Sequence, residues 1–371
     1  MFFFGCIITE KESLSIERNS IPFWEPCDSI IFDLEQYTPS DVSYIEEVFV
    51  DDVWYFILLN TPNNSLDIYN DHGVFNRRIE IPREGLGSIL SITSFHFVNK
   101  DSIFVFPKGE IYNALLLNWE GDVVDYSLFK IPETGSLFNH LSIQSSKIIK
   151  DGNKLYFIHT PLGLAYKKGF FSHEYYSEYC FDLKNKTFEP VLHTGWPDEY
   201  KKELQNKIVL VPNRTRTHDG KRLLSFANLD SVIIYDDEKI IKREYFSRPF
   251  INKKPRYGVR QNEDYANLME SYFYYTLVTG YPGSGKYYRF FKFPYFGYST
   301  SYKEYERQHI FLSEMGVLVT DVDFNDVQVK RLPALKYNHT PFAGRNGLYV
   351  TANPYYINQD EEYEIVLYIF Q

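Results

Sequence analysis

A chain of 371 residues could hold two average domains, but closed β architectures often use such a length as one unit. A hydrophobic fraction of 44% suffices for a substantial core, and no apolar run is long enough to span a membrane. The formal net charge of −10 and a pI near 5.5 argue against nucleic acid as a partner, because its phosphates would be repelled.

The chain opens on Met1-Phe2-Phe3-Phe4-Gly5-Cys6, an apolar run, a small residue and a cysteine, like the tail of a lipoprotein signal. The charged segment and most of the apolar segment of a full signal are missing. Cys6 is therefore a candidate lipidation site on a truncated leader, and residues 7–26 read as a polar tether. The alternative is an ordinary apolar N-terminus. This divides the chain into a leader and tether, 1–27, and one folded domain, 28–371.

Residues 29–34 form a strand with no partner adjacent in sequence. A four-strand unit comes next, with strands at 44–50, 53–60, 66–70 and 74–81. Further units cover about 94–131, 147–192, 215–246 and 270–332. In five units a strand, an Asp/Asn/Gly turn and a return strand recur, as in Ile68-Tyr69-Asn70-Asp71-His72-Gly73-Val74 and Phe181-Asp182-Leu183-Lys184-Asn185-Lys186-Thr187. Their spacing of roughly 50 residues is that of a propeller or solenoid. Asp67, Asp182, Asp236 and Asp323 are expected to cap these turns. The last unit, 347–350 and 364–370, is one strand short, and the orphan strand at 30–34 would complete it. These elements predict an all-β, single β-propeller of about six four-stranded blades, its ring closed by the N-terminal strand. A seven-blade division of the long fifth unit is the rival. The best helical candidate, 198–206, reads as a loop insertion.

The lipobox-like Phe4-Gly5-Cys6, the aromatic strand Lys286-Tyr287-Tyr288-Arg289-Phe290 and the strand pair near 317–332 resemble the six-bladed β-propeller lipoproteins of unknown function from gut-type Gram-negative bacteria. The resemblance covers nearly the whole chain. It implies a propeller and a cell-envelope location, and it hands over no catalytic residues.

Gly280-Tyr281-Pro282-Gly283-Ser284-Gly285-Lys286 has the glycine and lysine spacing of a phosphate-binding P-loop. Tyr287 replaces the magnesium-binding hydroxyl, and residues 288–293 read as a strand where a P-loop needs a helix, so a glycine-rich hairpin turn is expected instead. The nine histidines form no metal-ligand pair, Cys6, Cys27 and Cys180 fit no zinc spacing, and no Gly-x-Ser-x-Gly elbow occurs. No cofactor, metal or catalytic residue is expected. Aromatics make up 18% of the chain, with 32 Tyr and 31 Phe, and their expected role is packing between sheets.

One basic constellation remains: Arg214 and Arg216 at the start of unit four, Arg256, Tyr257 and Arg260 between units four and five, and Arg345 at the start of the last unit. In a propeller such residues can meet around the central channel, where arginines could hold a carboxylate or sulfate bidentately. The function expected is a monomeric envelope propeller that binds a ligand or partner, a glycan or an anionic group, on its loop-rich face. It would touch the membrane only through a lipid on Cys6, and would be cytoplasmic if Cys6 carries none. The alternative is a propeller hydrolase or lyase, lactonase-like or glycan-cleaving, with its site at the channel mouth.

Overall fold

The computed structural model describes residues 19–35, 38–39, 42, 44–85, 87–107, 114–126, 146–158, 176–192, 194–195, 212–226, 229–237, 239–247, 274–293, 314–338, 340–353 and 364–371. The first strand is β1 (Asp28–Asp33). Blade one is β2 (Ile45–Val50), β3 (Val53–Asn60), β4 (Ser65–Asn70) and β5 (Phe75–Glu80), and blade two is β6 (Ile92–Asn99), β7 (Ser102–Pro107), β8 (Leu115–Leu117) and β9 (Val123–Asp125). Blade three is β10 (Ile149–Asp151), β11 (Lys154–Ile158), β12 (Glu178–Asp182) and β13 (Thr187–Pro190). Blade four is β14 (Asn213–Arg216), β15 (Arg222–Ser225), β16 (Ser231–Tyr235) and β17 (Ile240–Tyr245). Blade five is β18 (Tyr274–Tyr281), β19 (Lys286–Lys292), β20 (Met315–Asp321) and β21 (Gln328–Leu332), and the last blade holds β22 (Phe342–Gly344), β23 (Gly347–Thr351) and β24 (Glu364–Phe370).

Each of the six sheets is a four-stranded antiparallel meander, and the sixth has the order β1-β24-β23-β22. The orphan strand thus supplies the outermost strand of the last blade, with Asp28 opposite Ile369 and Asp33 opposite Glu364. Closure in this way leaves the ring without an open seam. The six-blade division holds, and 282–285 is the hairpin turn between β18 and β19, with Tyr281 paired to Lys286. The helical candidate at 198–206 lies outside the described residues.

Among the described residues six apolar clusters form the core, one between each pair of neighbouring blades. Alternation along each strand sends one set of side chains to the blade before and the other to the blade after, so central strands such as Gly347–Thr351 are buried throughout. Phe32 of β1 is fully buried and meets Phe56 and Tyr69 edge-on at ring-centroid distances of 5.5 and 5.2 Å. Behind it, Gly73 turns with φ +81° and sits so close to β1 that a Cβ there would stand 2.1 Å from the Ile31 carbonyl oxygen. No other residue fits both constraints.

The turn repeat has one physical cause. At the end of the third strand of five blades an Asn or Asp accepts backbone N–H groups of the turn: Asn70 from His72 and Val74, Asn118 from Asp122, Asp182 from Lys184 and Asn185, Asp236 from Lys239, and Asp321 from Asp323 and Asn325. Two of the expected caps are corrected. In blade five the cap is Asp321, because Asp323 lies within the turn itself. Asp67 is a fully buried strand residue whose carboxylate accepts from Thr38, Asn60, Ser65 and Arg78, with Arg78 Nε at 2.6 Å. It ties the segment entering blade one to the blade and caps no turn.

The described end of the expected tether, residues 21–27, is packed against the propeller. Trp24 is buried against Tyr288 and Phe370, its N–H donates to the Arg331 carbonyl at 2.8 Å, and Ile21 joins the cluster between blades four and five. The reason is composition: Ile21 and Trp24 carry apolar surface that a solvated tether would leave in water. Cys6 lies outside the described residues.

Candidate functional site

The innermost strand of each blade leaves an edge of backbone N–H and C=O groups facing the axis, and buried groups of this kind need partners. Side chains of neighbouring blades supply them. Glu46 accepts the Phe97 N–H at 3.0 Å, and Glu47 accepts the Arg345 N–H at 2.8 Å. The Thr215 hydroxyl bridges the Gly280 N–H and C=O, and the Thr279 hydroxyl accepts the Ala343 N–H at 3.0 Å. Lys147 donates to the Ile45 carbonyl at 2.7 Å, Arg214 to the Lys147 carbonyl at 2.6 Å, and Arg216 to the Lys150 carbonyl.

Within this laced ring lies an axial cavity of about 360 Å³, walled by the first strands of blades two to six. Among the described residues its charged lining groups are His96, Lys147, Lys150, Arg214 and Arg216, with no Asp or Glu, although Glu46, Glu47 and Asp151 lie close enough to attract some of them. The remaining wall is formed by residues such as Phe97, Val98, Phe342 and Ala343, with the two threonines. A volume of this size falls at the lower end of small-molecule sites, about 300–1,000 Å³.

The five basic groups are not equivalent. Lys147 points back towards blade one, with Nζ 5.3 Å from the centre of the Tyr44 ring and 5.0 Å from that of Phe342. Burial pushes its ammonium below the ordinary lysine value against the pull of Glu46 and Glu47. His96 Nδ1 stands 3.6 Å from Glu46 Oε1. Burial raises the Glu46 carboxyl, but His96, Lys147 and the Phe97 N–H outweigh it and hold the group below the usual range. Arg216 makes one hydrogen bond and no ion pair among the described residues, and Lys150 has no side-chain partner among them.

Arg214 is expected from sequence to face a ligand, and the structure corrects this. Its guanidinium is fully buried, ion-paired to Glu178, and donates to the Tyr156 carbonyl at 2.9 Å. Glu178 also faces Arg222 at 3.2 Å, and Arg222 stacks 3.8 Å above the Tyr156 ring and reaches Asp237 at 2.7 Å. Two arginines and two carboxylates thus neutralise one another in the seam between blades three and four, a structural role.

Arg345 also stands apart from the expected ring. It occupies the turn between β22 and β23, at the opposite end of β22 from the connection entering the blade. There it pairs with Glu47 and Asp71, each at 3.1 Å, and lies 4.7 Å from the centre of the Trp54 ring. It stitches the last blade to the first. Burial pushes the Glu47 carboxyl up more than Arg345 and Tyr349 pull it down. Arg256, Tyr257 and Arg260 lie outside the described residues. Of the predicted basic constellation, the described cavity therefore retains Arg216 as an available cation. Sequence reasoning misses His96, Lys147 and Lys150, and the signal that could have found them is their position in or just before the first strand of a blade.

Asp237 yields a pH prediction. Burial pushes its carboxyl up, but hydrogen bonds from Tyr156, Lys154 and Arg222 outweigh this and hold it at about 2, against an ordinary 3.8. Asp219 is likewise held at about 2, where Lys221 and Thr217 outweigh burial. Carboxyls depressed in the folded state add stability that is complete above the unfolded value and lost as pH falls through the folded one. Denaturation midpoints should fall between about pH 4 and pH 2, and Asp237→Asn should flatten part of that fall. An unchanged slope in the variant would contradict the assignment.

Among the described residues, no three His, Cys, Asp or Glu side chains come together to hold a metal ion, and no helix is long and apolar enough to cross a membrane. Cys180 sits half-buried on β12, its thiol pushed up to about 11 by burial.

No family model matches the chain, and no curated protein matches it. Its fold is similar to the crystal structure of a DUF4221 family member from Bacteroides vulgatus, with a TM-score of 0.77 and 16% identity over 94% of this chain and 97% of that one. A candidate exported protein from Bacteroides fragilis aligns with a TM-score of 0.55 and 12% identity over 92% of this chain and 93% of that one. A streptogramin B lyase aligns at a TM-score of only 0.41 and 10% identity, which carries no argument about reaction. At these identities the likeness is one of fold, and the fold is a six-bladed β-propeller.

Proposed function

We propose that this chain is a binding propeller of the cell envelope whose axial cavity takes a small anionic ligand. One observation carries the reading: among the described residues, every charged one lining the cavity is basic, in a chain of formal net charge −10. A cleft lined by one sign of charge between low-dielectric walls focuses the field and concentrates counter-ions. Arg216, with donors of its guanidinium still available, offers a planar fork for a carboxylate, sulfate or phosphate, and Lys150 adds a point charge beside it. The envelope location is supported by Phe4-Gly5-Cys6 and by the name of the Bacteroides fragilis protein of similar fold.

Thermal unfolding in acetate, sulfate and phosphate at constant ionic strength tests the binding reading. At least one anion should raise the melting temperature of the parent protein, and Lys150→Met with Arg216→Gln should abolish the rise. A melting temperature unmoved by every anion, or raised equally in the double variant, would refute it. Labelling with a clickable fatty acid in a Gram-negative host, with Cys6→Ser as control, tests the location. Label confined to the chain with Cys6 supports it, and a protein found wholly in the soluble fraction removes it.

A further inference from the structure

The polar side chains around the axis differ in how much bonding capacity they have left. Thr215 and Thr279 hold the backbone of blades five and six, Lys147 holds that of blade one, and Arg214 is closed off by Glu178. What remains is Lys150, the rest of the Arg216 guanidinium, and the ring nitrogen of His96 that faces away from Glu46. Lys150 and Arg216 sit on β10 and β14, the first strands of neighbouring blades, and the Arg216 guanidinium donates to the Lys150 carbonyl. The wall contributed by blades two and six carries the half-buried Phe97, Val98 and Ala343, which also pack into the clusters between blades, and His96.

From this distribution we infer that the ligand is a one-ended organic acid: a single carboxylate held by Lys150 and Arg216, on a compact apolar body that lies against Phe97, Val98 and Ala343. The inference rests on the anion-binding reading and narrows it. A sugar acid fits less well, because each of its several hydroxyls needs a partner, and among the described lining residues the side-chain groups left besides Lys150 and Arg216 are one His96 ring nitrogen and the unspent capacity of Thr279 and Lys147. Burying an unpartnered hydroxyl weakens binding. A polyanion fits poorly too, since among the described residues two cations are available and both stand on one side. An apolar body, in contrast, needs only surface to cover.

Isothermal titration with matched acids tests this. Phenylacetate and hexanoate carry the head and an apolar body, glucuronate the same head on a hydroxylated body, and citrate and sulfate more charge with no apolar body. Phenylacetate or hexanoate should bind at least about tenfold more tightly than glucuronate, citrate or sulfate. Lys150→Met and Arg216→Gln should each weaken that binding by about tenfold or more. Because Lys150 has no side-chain partner among the described residues, Lys150→Met keeps the test valid if Arg216→Gln unfolds. Ala343→Asp, which places a carboxylate on the apolar wall, should weaken phenylacetate more than acetate. Glucuronate, citrate or sulfate binding as tightly as phenylacetate would overturn the inference and leave the anion site standing. Binding by none of the five would remove both.

Discussion

Removing residues 1–34 is expected to abolish the cooperative unfolding of this protein and to leave a chain that aggregates. The deletion takes away β1, and with it all six residue pairs that cover β24. An outer strand is lost from the one blade that joins the two ends of the chain, so the exposed edge of β24 becomes a template for pairing with other chains. Phe32 leaves a hole against Phe56 and Tyr69, and Trp24 uncovers Tyr288 and Phe370. Phe32→Ala alone should cost about 3–5 kcal/mol, the range for a large aromatic cut back in a core. Ile31, the next residue along, is 52% exposed, and Ile31→Ser should change stability by less than about 0.5 kcal/mol. Urea midpoints read by tryptophan fluorescence separate the three. A truncated protein that unfolds at the parent midpoint would show that the ring does not depend on this strand.

The second large effect is expected at Arg289. This guanidinium is fully buried in β19 and donates to the Ser225 hydroxyl at 3.1 Å and to four backbone carbonyls, those of Asp230, Phe246, Phe226 and Leu229. It pins the connection between β15 and β16, and the residue after β17, to the next blade. Arg289→Met keeps most of the apolar stem but leaves these acceptors facing an apolar atom, and should destabilise by about 3–5 kcal/mol. Arg289→Lys retains the charge but offers three donors without the planar fork, and should fall between. A Met variant within about 1 kcal/mol of the parent would mean that the carbonyls find other donors.

That residue also marks how far the sequence could be read. Tyr-Tyr-Arg-Phe is legible as an aromatic strand, and the pattern of paired strands and Asx turns is enough for the fold. Asn70, Asn118 and Asp182 act within four residues of themselves, so local sequence holds the whole of their chemistry. Even the ring closure is legible, because a missing strand at one end and a spare strand at the other leave a single pairing. Arg289 acts across 43 to 64 residues, and Arg214 and Glu178 across 36. Nothing local distinguishes an arginine that neutralises a buried glutamate from one that waits for a ligand. Arg214 and Arg216 are two residues apart on one strand, so they look alike in sequence, and both line the cavity, yet one is closed off by Glu178 and the other has donors to use. Lys147 and Lys150 escape notice because a lysine beside a turn ordinarily reads as a solvated charge. Only the placement of the first strand of each blade on the axis gathers them with His96. The N-terminal segment reads as a tether for a related reason: Ile21 and Trp24 sit among polar residues, and their partners lie in blades four to six.

If the axial cavity is the ligand site, Lys150 and Arg216 hold the acid group and an apolar body lies against the opposite wall. Crystals soaked in 4-bromophenylacetate and measured at the bromine absorption edge test it most directly. An anomalous peak is expected inside the cavity beside Phe97 and Ala343, with the carboxylate within hydrogen-bonding distance of Arg216 and Lys150. Bromine peaks confined to the outer surface of the blades, with the cavity holding only water, would contradict it.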